Sequence, residues 1–259
     1  MAYIDLTDWA YGSLGSAYSS SYSFLKGAIK LVYDSSSSTS SSYAVYAEVS
    51  PYISTAQSTV TSANMFFYKN VDSPSWTNYE TKQNNVALSG SAGFKGTALY
   101  WSVGTFTFGQ TATSPQFRTG WFGSGNVGDA FTDNVSMSFT FPAKKSVSFS
   151  TTPQSGSGSI AAISSQQLSP TLSWNTVSKS TDATYVLTLP TATSADSSYT
   201  FIGWTVNGTD YNAGDSVTFV NDSSSATVYP RFRLNAVSFS TSINGTTVQR
   251  SNVTIGSTL

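Results

Sequence analysis

Apolar and polar residues alternate along most of this chain with a period of two, and helical periodicity is almost absent. The runs Ala28–Tyr33, Tyr43–Val49, Asn64–Tyr68, Leu99–Phe108 and Val135–Phe141 are bounded by clusters of Ser, Gly, Asn and Asp. This is the strand-and-turn pattern of sandwiches and barrels. In the last run Val135, Met137, Phe139 and Phe141 share one face, and Ser136, Ser138 and Thr140 share the other. One buried face and one wetted face is the mark of an antiparallel sheet. The pattern predicts an all-β chain, with an N-terminal antiparallel β-sandwich followed by small β-rich repeat modules.

Breaks in the pattern suggest the organisation. Ser35–Ser42 is nearly pure serine between two strong strands and reads as a flexible hairpin tip. Pro142-Ala143-Lys144-Lys145 interrupts the alternation, and a first boundary is expected there. The pentapeptide Val147–Thr151 returns unchanged as Val237–Thr241, each copy where a new module would begin. The expected division is a sandwich over 1–145, a β module over 146–235 and the start of a further repeat over 236–259. A last segment of about 20 residues cannot bury a core of its own. It is therefore expected to be a truncated repeat, or to dock on something else.

Composition narrows the function. Charged residues make up 10% of the chain, against roughly 25% in an ordinary soluble domain. Ser and Thr supply about a third of the residues, and aromatics 14%. Such aromatic content argues against disorder and suits a β-protein with hydroxyl-covered outer faces. The net charge is −1, and Lys144-Lys145 is the one adjacent basic pair, so phosphate-based nucleic-acid binding is not expected. No apolar run is long enough for a membrane span. The first residues, Met1 to Trp9, carry acids and lead into no apolar stretch, so no secretory signal is read. A virion protein made in the host cytoplasm and exposed after lysis reconciles that start with the surface-type composition. A mature fragment of a secreted protein would do so too.

The chain has no Cys and no His. Disulfides, Cys/His zinc sites and Ser-His-Asp or Cys-His catalysis are therefore excluded. The only glutamates, Glu48 and Glu80, lie in different segments, and the closest acid pair is Asp129 with Asp133 in Gly125–Asn134. That segment reads as a turn, with a calcium loop or a catalytic pair as alternatives. No catalytic residue, metal site or cofactor is expected. Aromatic faces can stack on sugars, and four residues are the ligand-binding candidates: Trp76, Tyr79, Trp121 and Phe122. Trp76 and Trp121 lie in loop-like surroundings, whereas Trp101 stands in a strong strand and is expected in the core. Tyr3, Ile4, Leu6, Trp9 and Tyr11 could anchor the chain to a neighbouring subunit, or form an arm folded back on its own domain.

The second module has local signals of its own. Phe201 and Trp204 are core candidates, Gly203 permits close backbone approach beside the tryptophan, and Asn207-Gly208 signals a type I′ hairpin. The segments Tyr199–Trp204, Tyr211, Gly214–Phe219 and Ala226–Phe232 resemble the Listeria–Bacteroides surface repeat, of the internalin B-repeat type. That family shows a Phe-x-Gly-Trp core and a closing strand with an aromatic pair. The resemblance covers roughly 146 to 234 and implies a repeat core of Phe201, Gly203, Trp204 and Tyr229. The closing strand departs from the family at its last aromatic, where Phe232 stands. Residues 20 to 145 resemble a domain of minor structural proteins of tailed phages, in strand spacing and in the close Ser136–Ala143.

Together these features lead to the expectation of a non-enzymatic bacteriophage virion structural protein of the tail, baseplate or fibre type. Its expected partners are further copies of itself, other virion proteins and a host cell-surface glycan. The alternatives are a fragment of a bacterial cell-surface adhesin and a carbohydrate-binding module.

Overall fold

The computed structural model describes residues 2–13, 23–39, 41–58, 63–69, 79–123, 130–235, 237–243 and 246–253. The protein is all-β, built of several largely antiparallel sheets. It divides into two compact units. The first is Met1–Ala143 with Leu172–Ala183, and the second is Lys144–Thr171 with Thr184–Leu259.

The first unit opens with β1 (Tyr3–Asp5), β2 (Ala10–Gly12), β3 (Leu25–Asp34), β4 (Ser42–Ile53), β5 (Ala63–Lys69) and β6 (Tyr79–Val86). It continues with β7 (Gly93–Phe94), β8 (Leu99–Thr107), β9 (Thr111–Thr113), β10 (Phe117–Gly123), β11 (Ala130–Phe131) and β12 (Ser138–Thr140). One sheet runs β1-β3-β4-β7, with β2 also on β3 and β8 also on β4, and a second runs β11-β10-β5-β6. Alternation decides which face is buried. Leu25, Ile29 and Leu31 of β3 and Val45, Ala47, Val49 and Ile53 of β4 are all buried and point the same way. Each such burial contributes roughly 1.5–3 kcal/mol for the larger side chains. Beside them Trp101 of β8, opposite Ala47, stacks on Phe117 of the second sheet at 4.9 Å and meets the edge of Phe67 at 6.2 Å. At Gly27 a side chain would overlap the Thr119 hydroxyl, so glycine lets β3 and β10 approach.

Several expectations about this unit are sharpened. The N-terminal arm folds back on its own sheet. Tyr3–Asp5 pairs with Val32–Asp34, and Ala10–Gly12 with Gly27–Ile29. Between them Leu6 is buried and its N–H donates to the Leu31 carbonyl at 2.8 Å. The serine tract is indeed a hairpin tip, and Asp34 organises its first turn. Its carboxylate accepts from the Ser36 N–H at 2.9 Å, the Ser36 hydroxyl at 2.6 Å and the Ser37 hydroxyl at 2.7 Å. These bonds, led by the two hydroxyls, hold the Asp34 carboxyl at about 2. The run Val135–Phe141 keeps its alternating exposure, but its regular ladder shrinks to β12. Val135 makes one isolated bridge to Phe117, and the Met137 backbone bonds to Ser114 instead.

The chain then forms β13 (Lys145–Phe149), β14 (Gln166–Leu168), β15 (Thr171–Asn175), β16 (Ser180–Thr188), β17 (Tyr199–Val206) and β18 (Thr209–Tyr211). After these come β19 (Ser216–Val220), β20 (Ala226–Leu234), β21 (Val237–Ile243) and β22 (Thr246–Val253). Most of β15 and the first half of β16 belong to the first unit, where the Thr181 hydroxyl donates to the Leu6 carbonyl at 3.0 Å. In the second unit the main sheet runs β14-β13-β20-β17-β18. Its β13 and β20 are parallel, with Val147 opposite Ala226 and Phe149 opposite Val228. The rest of β16 pairs with β19, and their Tyr185, Leu187, Val217 and Phe219 are buried, as are Val147, Trp204, Val206 and Val228. The first copy of the repeated pentapeptide starts two residues into β13 and the second copy opens β21, and the two take different partners. β13 pairs with β14 and β20, whereas β21 forms a hairpin with β22.

Candidate functional site

The surface with the most chemistry in the first unit is the outer face of its six-stranded sheet. Register places Lys30 of β3 opposite Glu48 of β4, and Glu48 opposite Tyr100 of β8. On the other side of β3, Asp5 of β1 lies opposite Val32. Lys30 therefore reaches two carboxylates, Asp5 at 2.7 Å and Glu48 at 3.2 Å, and its ammonium sits 4.7 Å from the Trp9 ring centre. The ammonium side chain is only 12% exposed, so the two carboxylates and the ring replace much of its water.

Aromatic rings surround this ion cluster on both flanks. On one, Tyr3 stacks on Tyr100 at 4.2 Å and 8° and meets Tyr46 edge-on at 5.4 Å. On the other, Phe94 contacts Trp9 at 4.7 Å and Tyr52 at 5.2 Å, and Tyr11 contacts Tyr52 at 4.8 Å. Burial first, then the Glu48 carboxylate, raises the Tyr100 phenol above its usual range. Burial, then Tyr46 and Asp34, does the same for Tyr3. These phenols stay protonated donors at neutral pH. Tyr11, Phe94 and Tyr100 nevertheless remain 44%, 46% and 39% exposed, an unusual concentration of large rings at one surface.

Of the four ligand-binding candidates named from the sequence, Trp121 lies in the second sheet of the first unit and not on this face. Trp121 corrects the loop expectation: it lies in β10, paired opposite Met65 and Ala130, and has no solvent exposure. Its glycine neighbours suggested a turn, but Gly120 is a buried strand residue opposite Phe66. Phe122 follows in the same strand and Tyr79 begins β6, while Trp76 lies outside the described residues. Asp129 lies outside them too, and Asp133 is exposed. Among the described residues no group of three or more His, Cys, Asp or Glu side chains converges.

Of the residues of the expected repeat core, Phe201, Gly203 and Trp204 lie together in β17 of the second unit, whereas Tyr229 stands opposite Thr205. Trp204 is fully buried, donates its indole N–H to the Pro190 carbonyl at 2.7 Å, and meets Phe201 edge-on at 5.1 Å and Phe149 at 5.4 Å. Gly203 has φ +142° at a bulge opposite Arg231, and a side chain there would overlap the Tyr211 carbonyl oxygen. Asn207 and Gly208 both have positive φ, 50° and 79°, between paired Val206 and Thr209, as a type I′ turn requires. Tyr229 alternates with buried Val228 and Pro230 and is itself half-buried. Lys145 is the buried cation of this unit. It holds Asp222 at 2.9 Å and the Ser224 carbonyl at 2.6 Å, and its ammonium lies 4.3 Å from the Phe219 ring centre. Hydrogen bonds from Ser224 and then Lys145 keep the Asp222 carboxyl at about 2.

Beside that core lies a groove of about 480 Å³, between the 153–157 loop and the strands β17, β18 and β20. In it Arg231 pairs with Asp210 at 2.9 Å, and the Thr205 hydroxyl donates to the other Asp210 oxygen at 2.9 Å. Tyr199, Ile202 and Phe232 supply its apolar surface, with Tyr199 and Phe232 edge-on at 6.4 Å.

Comparison of the chain with known proteins finds no matching family model, no matching curated protein and no matching solved structure.

Proposed function

We propose that the chain is a non-enzymatic structural protein of a bacteriophage particle, of the tail, baseplate or fibre type. In this reading it is made in the host cytoplasm, and the first unit packs against further copies of the chain through its aromatic face. The second unit makes the contact with the host surface. The observation that carries this is the outer face of the six-stranded sheet. Protein interfaces are enriched in Tyr, Trp and Phe at their centres, and large exposed apolar clusters mark interaction sites. The Asp5–Lys30–Glu48 cluster would fix register within such an interface without giving it strong charge.

Two further observations support the reading. In the first unit the acids with described ion pairs hold lysines, Asp5 and Glu48 on Lys30 and Asp8 on Lys179, and in the second unit Asp222 holds Lys145. The residues resembling a surface repeat form a compact core around Trp204. The test is sedimentation of the full chain beside Phe94→Asp and Tyr100→Lys variants, the lysine standing opposite Glu48. Both positions are exposed in one chain, so the substitutions should leave folding intact and dissociate the assembly. Unchanged sedimentation of folded variants would refute the assigned surface.

A further inference from the structure

We infer that the groove of the second unit is a binding site for an uncharged oligosaccharide. This deepens the host-contact part of the proposed function and rests on that reading only for its biological role. At about 480 Å³ the groove falls within the roughly 300–1,000 Å³ of small-ligand sites.

Its chemistry is selective. Saccharides present adjacent hydroxyls that each donate and accept, and C–H faces that lie against apolar surface. Asp210 and Arg231 place an acceptor and a multi-donor fork side by side, held to each other at 2.9 Å. The Thr205 hydroxyl fixes the second Asp210 oxygen, so the carboxylate is already oriented before a ligand arrives. Such preorganisation lowers the ordering cost of binding. Arg231 has five N–H donors, more than the ion pair consumes, and each Asp210 oxygen keeps a second lone pair. Tyr199, Phe232 and Ile202 offer the apolar surface for sugar C–H groups.

Charge selects the class. Among the described residues the only charged side chains lining the groove are Arg231 and Asp210, and they cancel. A phosphorylated or uronic-acid ligand that bonds to Arg231 would lie beside the Asp210 carboxylate and be repelled by it. A neutral sugar can bond to both groups and leave the pair intact. The groove is also built rather than incidental: Gly158 packs so closely that a side chain there would strike the Phe232 ring. This contact holds the segment following the 153–157 loop against the wall.

The test uses the full chain and amide-resolved NMR titrations with maltohexaose, cellohexaose and chitohexaose, and with an oligogalacturonate as the acidic probe. At least one neutral hexasaccharide should bind with a dissociation constant on the order of millimolar or tighter. Its shifts should be confined to 153–157, 199–210 and 230–232. Arg231→Ala should weaken it by about tenfold or more with an unchanged unfolding temperature. The wild-type shift map tests the site even if that variant misfolds. No shifts with any neutral probe, shifts elsewhere, tighter binding of the acidic probe, or undiminished binding by folded Arg231→Ala would each overturn the inference. Because the groove belongs to the second unit and the aromatic face to the first, failure of binding leaves the assembly result standing, and the reverse.

Discussion

Two fully buried tryptophans, Trp121 in the first unit and Trp204 in the second, differ in one hydrogen bond. The indole N–H of Trp204 reaches the Pro190 carbonyl at 2.7 Å, whereas among the described residues no acceptor meets the Trp121 N–H. Replacing either with Phe removes a similar slice of buried ring, costing on the order of 1–2 kcal/mol at both sites. At Trp204 the change also breaks a bond and strands a carbonyl, adding about 1–2 kcal/mol. At Trp121 it removes a donor already deprived of water, which returns about 1–3 kcal/mol. Trp204→Phe should therefore destabilise its unit by ~2–4 kcal/mol, and Trp121→Phe should be within ~1 kcal/mol of neutral. Urea unfolding followed by circular dichroism and by fluorescence reads this, with each unit's transition fitted separately. A Trp121→Phe cost equal to or above that of Trp204→Phe would refute the hydrogen-bond reasoning.

Other consequences can be checked by the same means. Gly203→Ala places a side chain against the Tyr211 carbonyl at φ +142° and should cost at least ~2 kcal/mol. Gly208→Ala meets nothing within 4 Å at φ +79° and should cost only the left-handed penalty of about 1–2 kcal/mol; thermal unfolding of the pair orders them. Asp34 and Asp222 are both held at about 2 in the folded chain, below the ordinary 3.8. Their contribution is therefore full above pH ~4 and is lost as pH falls toward about 2. Melting temperatures of the wild type should drop more steeply between those values than those of an Asp34→Asn, Asp222→Asn double variant. Parallel slopes would contradict the assignment.

Local chemistry was legible in the sequence where a motif is completed by its own neighbours. Asn207-Gly208 needs only the two strands it joins. Gly203 beside Trp204 needs only the turn that brings Tyr211 back. The strands and their inward faces follow from alternation, because a pleated strand sends every second side chain the same way. The aromatic face was not legible, since its residues come from separated segments. Alternation shows that Lys30 and Glu48 each face outward or inward with their own neighbours, but not that β1 and β4 flank β3. Trp121 was misread because glycine on both sides signals a turn locally, while pairing with β5 on one side and β11 on the other buried it. The parallel contact of β13 with β20 joins residues about 80 apart in the chain, a separation at which sequence patterning carries no pairing information. The groove likewise depends on Asp210 and Arg231, which meet only through the β17 pairings.

The central claim is that this chain assembles through the aromatic face of its first unit, and the mass of the full chain in solution tests it most directly. Light scattering across a concentration series should give one defined multiple of the single-chain mass, populated increasingly as concentration rises. A single-chain mass at every concentration would contradict it.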